Sequence, residues 1–457
     1  MRYLRQEKGF YRSAIALMLP MMLQNFIMHA MALADTFMVG LLGEEALAAV
    51  SLANTPLFIV LLIGFGLQSG CGVLTAQYFG KGDKDAINRV LGMGLYAAVA
   101  VTLAVSAVAV AVPEGVMRLL TNNASLAAAG ARYLRIAGPS YFFTCVGGVY
   151  VATQRSMGQP LLGAVVLTGS ALLNIFLNWV FIYGHLGAPA LGIEGAALAT
   201  LISRVCELAA VAVYAGFIDK RLKLRPALIL RPGRAMVSDG VRYVLPVVLN
   251  ETLWAAATSL YSVILGHMED SAAILAAYTI AGNLERLLSV GLFAAGGATA
   301  VIIGRDIGAG RADRVYGRSV ALCVLSALVG LVSSLIVLLA RFTALEQVIF
   351  PLMGMSAGAR GYGLFMMTAV AAVLPLRALN LSLITGVFRS GGDVRFALFC
   401  DVVPMFALCV PAAAVAGLAL RWGLPAVYIC ICCEDVIKIC LNIPRLTSRK
   451  WVHNVTR

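Results

Sequence analysis

Asp35 lies in the stretch "ADTFMVG", inside an apolar run that extends from about residue 14 to residue 42. A carboxylate at the centre of a membrane-length helix costs roughly 2.5–3.5 kcal/mol on insertion scales, so its presence asks for a reason. One reason is chemical. A carboxylate held away from water can gain and lose a cation, either a proton or, where carbonyl and amide oxygens surround it, sodium. The other is structural, a group hydrogen-bonded to neighbouring helices. Asn174 and Asn178 are spaced i, i+4 in a second apolar run and share one helix face, which suggests a polar cavity or interhelical glue. Glu251 stands in a third run just after Pro246, and Asp35 follows Pro20 by fifteen residues. Proline interrupts the helical hydrogen-bond ladder, so Pro20 and Pro246 are candidate hinges.

These groups need helices that cross a membrane. The 457 residues are 61% hydrophobic and 12% charged, well below the charge of a soluble chain. The apolar residues come in runs of about 20–30, enough for a hydrocarbon core of roughly 30 Å. Twelve runs are separated by polar breaks, near 14–42, 47–76, 88–112, 130–153, 160–184, 193–217, 241–267, 272–304, 317–341, 361–388, 396–418 and 424–443. The expected class is an all-α polytopic membrane protein. The alternating segments of a membrane β-barrel are absent. The breaks after Leu42 and Met268 are short, so tight hairpins are expected there.

Net charge is +13, and its position matters more than its size. Even-numbered loops and both termini hold 25 Lys/Arg; odd-numbered loops and their flanks hold six: Arg118, Arg132, Arg135, Arg341, Arg360 and Arg421. This bias places both termini in the cytoplasm and explains the charge without a nucleic-acid partner. The ten cysteines are scattered through the runs and read as small packing residues. "GKGDKD" (80–85) lacks the length and the Ser/Thr of a phosphate-binding loop and reads as a cytoplasmic turn.

The chain also repeats itself. "GKGDKD" (80–85) matches "GAGRAD" (308–313) at Gly80/Gly308, Gly82/Gly310 and Asp85/Asp313, all 228 apart, and "LAAV" (47–50) matches "LAAY" (275–278) at the same spacing. Pro20 pairs with Pro246, and "RSMG" (155–158) with "RSGG" (389–392), at offsets of 226 and 234. Two parallel six-helix halves follow, residues 1–218 and 241–457, joined by a basic linker at 219–240. A pore between such repeats suits transport by alternating access.

"LPMMLQN", "ADTFMVGLLG", "ALAAVSLAN", "TAQYFGKGDKDAINR", "LLNIFLNWVFIYG", "LGIEGAALATLISR", "LPVVLNETLW", "FRSGGDVRF" and "CEDVIK" occur in this order between residues 19 and 438. In this order they resemble the multidrug and toxic compound extrusion (MATE) family. The resemblance implies a V-shaped pair of pseudo-symmetric six-helix bundles in the bacterial inner membrane, acting as a monomer. It implies export of cationic or amphipathic organic compounds in exchange for inward protons or sodium, without a cofactor. It further implies that Asp35, Asn174, Asn178 and Thr200 line a cation site in the N-terminal lobe; with sodium as the ion, Asp35, Asn174 and Asn178 would be its ligands. Some family members carry Asp where this chain has Asn178. Relatives with a sodium-type C-lobe site pair the equivalent of Glu251 with an Asp on span ten. Here "PLRALNLSL" offers Arg377 and Asn380 instead, which favours the proton; Glu251, with Arg377 and Asn380, then serves coupling or recognition of a cationic substrate in the C-terminal lobe, or Glu251 and Arg377 form a structural pair.

Asp401, Arg204 with Glu207, Glu434 with Lys438, and Glu285 with Arg286 read as structural groups near the cytoplasmic half, the i, i+3 and i, i+4 spacings favouring intrahelical pairs. Intramembrane protease signatures are not met within the runs: there is no His-Glu-x-x-His and no Gly-x-Ser-Gly, "SGGD" (390–393) lacks the first glycine of Gly-x-Gly-Asp, and Gly-Lys-Gly-Asp (80–83) falls in the cytoplasmic turn. No ATP-binding domain accompanies the spans. A flippase for a lipid-linked precursor is the remaining alternative, but few Lys/Arg lie within the runs; a passive channel suits the two buried carboxylates less well.

Overall fold

The computed structural model describes residues 2–350 and 356–456 and is helical throughout, with no strand among the described residues. The helices in chain order are α1 (Phe10–Gly40), α2 (Glu44–Lys81), α3 (Lys84–Ala111), α4 (Pro113–Leu120), α5 (Ala124–Ala137), α6 (Ser140–Ser156), α7 (Leu161–Tyr183), α8 (Ile193–Ile218), α9 (Arg234–Gly266), α10 (Ser271–Leu288), α11 (Val290–Gly308), α12 (Ala312–Gln347), α13 (Ala357–Phe388), α14 (Val394–Ala419) and α15 (Leu424–Ser448). Ten of them are long and apolar enough to cross a membrane. The expected fourth span is the pair α5–α6, broken where Pro139 lacks the N–H that would continue the ladder. The twelfth is α15, in which Glu434, Asp435 and Lys438 lower the apolar content. The eighth is α10 with α11, interrupted at Ser289, where no proline marks the break. The all-α, twelve-span reading therefore stands.

Local chemistry fixes the ends. α2 bends at Asn54, where Pro56 cannot donate to Leu52. Gly82 (φ 84°) and Gly310 (φ 73°) take the left-handed conformation after α2 and α11, which only glycine adopts without strain. Asp83 then caps α3 by accepting from Ala86 N at 2.9 Å. The "GKGDKD" segment is thus a turn followed by a cap.

By packing, the chain divides into two units, one of residues 23–75 and 83–248, the other of residues 1–22, 76–82 and 249–457. In the second, Phe10 and Ala14 from the start of α1 join a core with Ile303, Leu322 and Phe388. The sequence repeat, by contrast, divides the chain at 219–240. A repeat records duplication, whereas packing records contact, so the two divisions can differ.

In the first unit the linker after α8 is tied down. Asp219 accepts from Tyr150 Oη (2.8 Å), Gln154 Nε2 (2.5 Å), Arg221 N (2.8 Å) and Leu222 N (3.3 Å). Partial burial alone would push its carboxyl up, but these bonds outweigh it and hold the group below the usual carboxylate range. Bonds to a charged acceptor are worth about 1.5–3 kcal/mol. Asp219→Ala is therefore expected to free the segment around Lys220, Arg221 and Lys223, with trypsin cleavage there accelerating by about tenfold or more while the helices stay intact. Unchanged cleavage would mean that the linker is held elsewhere. Because the folded-state acidity is enhanced, the anchoring is complete above the ordinary carboxylate range and fades only as pH falls through the lowered value.

In the second unit the carboxy-terminal tail folds back. Arg449 (φ 55°) turns the chain after α15, and Trp451 is fully buried, its indole donating to Leu446 O at 3.1 Å. His453 N donates to Gly391 O at 2.7 Å. Gln77, also fully buried, donates to Ser390 O (2.7 Å) and His453 O (3.1 Å) and accepts from Val455 N (2.8 Å). A Cβ on Gly391 would lie 2.5 Å from Trp451 O, so the "RSGG" turn leaves room for the tail.

Candidate functional site

In the first unit α1, α7 and α8 bring the expected residues together. Asn178 Nδ2 donates to Asp35 Oδ1 at 2.6 Å and reaches Asn174 Oδ1 at 3.3 Å. Asn174 Nδ2 in turn points at Thr200 Oγ1, 3.5 Å away. Both asparagines are fully buried, whereas Asp35 and Thr200 are half-buried. Tyr183 Oη donates to Met38 O at 2.8 Å, fastening α7 to α1 one turn beyond Asp35. Tyr133 from α5 stands beside the group and donates to Asn54 Oδ1 at 3.3 Å. One atom is left over: Asn178 Oδ1 is buried without a hydrogen-bond partner. A buried acceptor without a donor costs about 1–3 kcal/mol. The donor set of one carboxylate, two amide oxygens and a hydroxyl also suits a hard cation, so the residues fit either ion. Arg204 pairs with Glu207 at 2.6 Å, the intrahelical pair expected from the spacing.

The second unit holds more charge. Glu251 does not pair with Arg377. It pairs with Arg389 at 2.7 Å, and Arg389 is almost completely buried. The residues just before Arg389, Ser382–Phe388, form a wide π turn, which takes up one more residue than an α turn and re-aims the side chains beyond it. Arg377 instead lies between Glu285 and Asp435, its Nε 2.9 Å from the latter. Asn380 donates to Asp435 O at 2.8 Å and accepts from Asn442 at 3.0 Å. Lys438 likewise lies between two carboxylates, Asp401 (2.5 Å) and Glu434. Asn250 donates to the other oxygen of Asp401 at 2.6 Å. Two carboxylate–cation–carboxylate triads thus meet at the Glu434–Asp435 dipeptide. Glu285 pairs across helices rather than within its own, and Lys438 does both.

A polar cluster of Asp35, Asn174, Asn178 and Thr200 thus joins α1, α7 and α8 within a helical membrane fold. The profile of the MatE family matches residues 20–180 and 246–415, most of the chain. The chain belongs to the MATE family. It is a membrane transporter of the multidrug efflux type. A probable multidrug resistance protein NorM of Bradyrhizobium diazoefficiens is 31% identical over 71% of this chain and 68% of its own length. The uncharacterized transporter YisQ of Bacillus subtilis is 23% identical over 96% and 95%. Among solved structures, a MOP-superfamily transporter from Pyrococcus furiosus superposes with a TM-score of 0.85 at 20% identity, covering 98% of this chain and 99% of that one. That likeness speaks to the fold.

Within this MATE chain, the residues that sequence reasoning passed over are Arg389, Asp435, Asn442 and Tyr133. Arg389 had a signal, the "RSMG"/"RSGG" repeat, but that match served only to align the two halves. Its repeat counterpart Arg155 has no ion pair among the described residues, and the counterpart of Glu251 is the uncharged Asn25. The two halves therefore differ in charge at matching positions.

Proposed function

We propose that this MATE transporter is a secondary antiporter, exporting cationic or amphipathic organic compounds in exchange for an inward cation, with Asp35 as the coupling group and the proton as its ion in preference to sodium. The observation that carries this is the Asp35–Asn178 contact with its unpartnered amide oxygen. An ionised Asp35 needs a donor, which Asn178 Nδ2 supplies. A protonated Asp35 needs an acceptor for its O–H, and rotation of the same amide offers Oδ1. The amide can thus serve both states, at the expense of the Asn174 contact, so a proton on Asp35 is transmitted to α7 and through Asn174 toward Thr200. Pro20 gives α1 a place to bend in response. Glu251, already matched by Arg389, lacks that freedom, and with Arg377 and Asn380 it serves the C-terminal half as structure.

Dye efflux from proteoliposomes tests the ion. Efflux is expected under an imposed pH gradient without sodium and is expected to stop when that gradient is collapsed. Efflux driven by a sodium gradient alone, undiminished by the collapse, would assign sodium. The same reading places a monomer in the bacterial inner membrane with both termini cytoplasmic, on the strength of the arginine and lysine bias. A reporter enzyme active only outside the cytoplasm should be silent when fused to the C-terminus; an active fusion would reverse the orientation.

A further inference from the structure

Three of the six arginines and lysines that the charge count leaves in odd-numbered loops and their flanks converge on one cavity. It has a volume of about 610 Å³ and is lined by Glu114, Arg118, Thr121, Asn122, Arg132 and Arg135 among others, all from α4, α5 and the turn between them. It lies at the end of the first unit that carries the turn after α1, since Ser125 donates to Glu45 there and Arg132 pairs with Glu194 at 2.8 Å. Arg118 and Arg135 are exposed and have no ion-pair partner among the described residues. Glu114, one turn before Arg118, also makes no ion pair there, although an i, i+4 bridge is within easy reach.

The helix bearing Arg118 has a second distinctive face. On α4, Leu119 is 88% exposed, and Val112 at its cap is 57% exposed, seven residues earlier and so on the same side. Met117 anchors the helix from beneath: it is fully buried, and a Cβ on Gly130 of α5 would come 2.3 Å from its Cε. A short helix held down on one side, with bare apolar side chains on another and arginine beside a cavity, is the pattern of a helix lying in the headgroup layer. Its apolar side meets acyl chains while the guanidinium groups reach the phosphate level. Arginine suits a phosphate because its planar donors bind two oxygens at once.

We propose that this cavity binds the phosphate of an anionic phospholipid headgroup, held by Arg118 and Arg135, with Leu119 and Val112 against the acyl chains. The site is separate from the Asp35 group. It also gives a reason for arginines on the side where the charge bias disfavours them. Glu114 opposes an anion there and sets the affinity below its maximum.

Purified full-length transporter in phosphatidylcholine nanodiscs doped with phosphatidylglycerol, examined by native mass spectrometry, tests this. Phosphatidylglycerol should be retained in preference to phosphatidylcholine. Each arginine near an anionic headgroup contributes about a fivefold factor, so the double variant Arg118→Ala/Arg135→Ala should lose roughly 25-fold in retention. Glu114→Gln should gain. Retention by the double variant equal to wild type overturns the proposal, as does a Glu114→Gln variant that binds less. Displacement by inorganic phosphate, with no preference between the two lipids, would assign the cavity to free phosphate and overturn the lipid reading.

Discussion

Asp35→Asn is expected to insert, fold and melt like the wild type and yet to lose gradient-driven efflux down to the passive leak. Asparagine has nearly the shape of aspartate, and its amide can exchange hydrogen bonds with Asn178 just as the carboxyl group does. What it cannot do is change charge. If export is driven by a cation arriving at Asp35, a side chain fixed at zero charge leaves the unit permanently in the cation-loaded condition, so the cycle does not close. Binding of the exported compound, measured by fluorescence of a bound dye, should survive, because the fold around α1 and α7 is kept. The decisive reading is transport per molecule in proteoliposomes under one defined pH gradient. Wild-type efflux by the purified variant would make Asp35 a structural carboxylate and move the coupling group elsewhere.

Lys438→Met should have the largest effect on stability. The Lys438 side chain is 5% exposed, and its ammonium is shared by Asp401 and Glu434. Methionine fills a similar volume but leaves two buried carboxylates facing each other, and removing one partner from a buried ionic group costs about 3–5 kcal/mol. A lower melting temperature in detergent and poor recovery as a monodisperse peak should follow. Charge, rather than volume, is the cause if neutralising the partners restores the protein: Lys438→Met combined with Asp401→Asn and Glu434→Gln should recover most of the loss, since replacing a whole buried ionic group is often neutral. A single variant that melts with the wild type would show that water already reaches the triad.

The sequence carried the spans well because length and apolarity are local properties. The turn at Gly82 was legible for the same reason: glycine followed by a capping aspartate has few other uses. Pairing was harder. The intrahelical contacts Arg204–Glu207 and Glu434–Lys438 follow from spacing. Glu251 and Arg389 are 138 residues apart, and their meeting depends on a π turn that no residue type announces. Asn178 and Asp35 are 143 apart. Their meeting was expected through family resemblance, since amphipathic spacing says that a face is polar without saying what it faces. The halves of the repeat were legible as sequence, but the packing of residues 1–22 and 76–82 among the helices after 249 was not, because apolar runs of similar composition can pack with any neighbour.

The returning tail sets a timetable for biosynthesis. Val455, which donates to Gln77, follows it by 378 residues. At roughly 5–20 residues per second, the ribosome delivers it some 20–75 s later. For most of that interval the end of α2 waits with a side-chain amide whose partners, Ser390, His453 and Val455, do not yet exist. A nascent chain released before Trp451 would leave this amide unmet and the seat of Trp451 empty. Residues 451–455 therefore close the second unit late, and only a chain translated past Val455 can make these contacts.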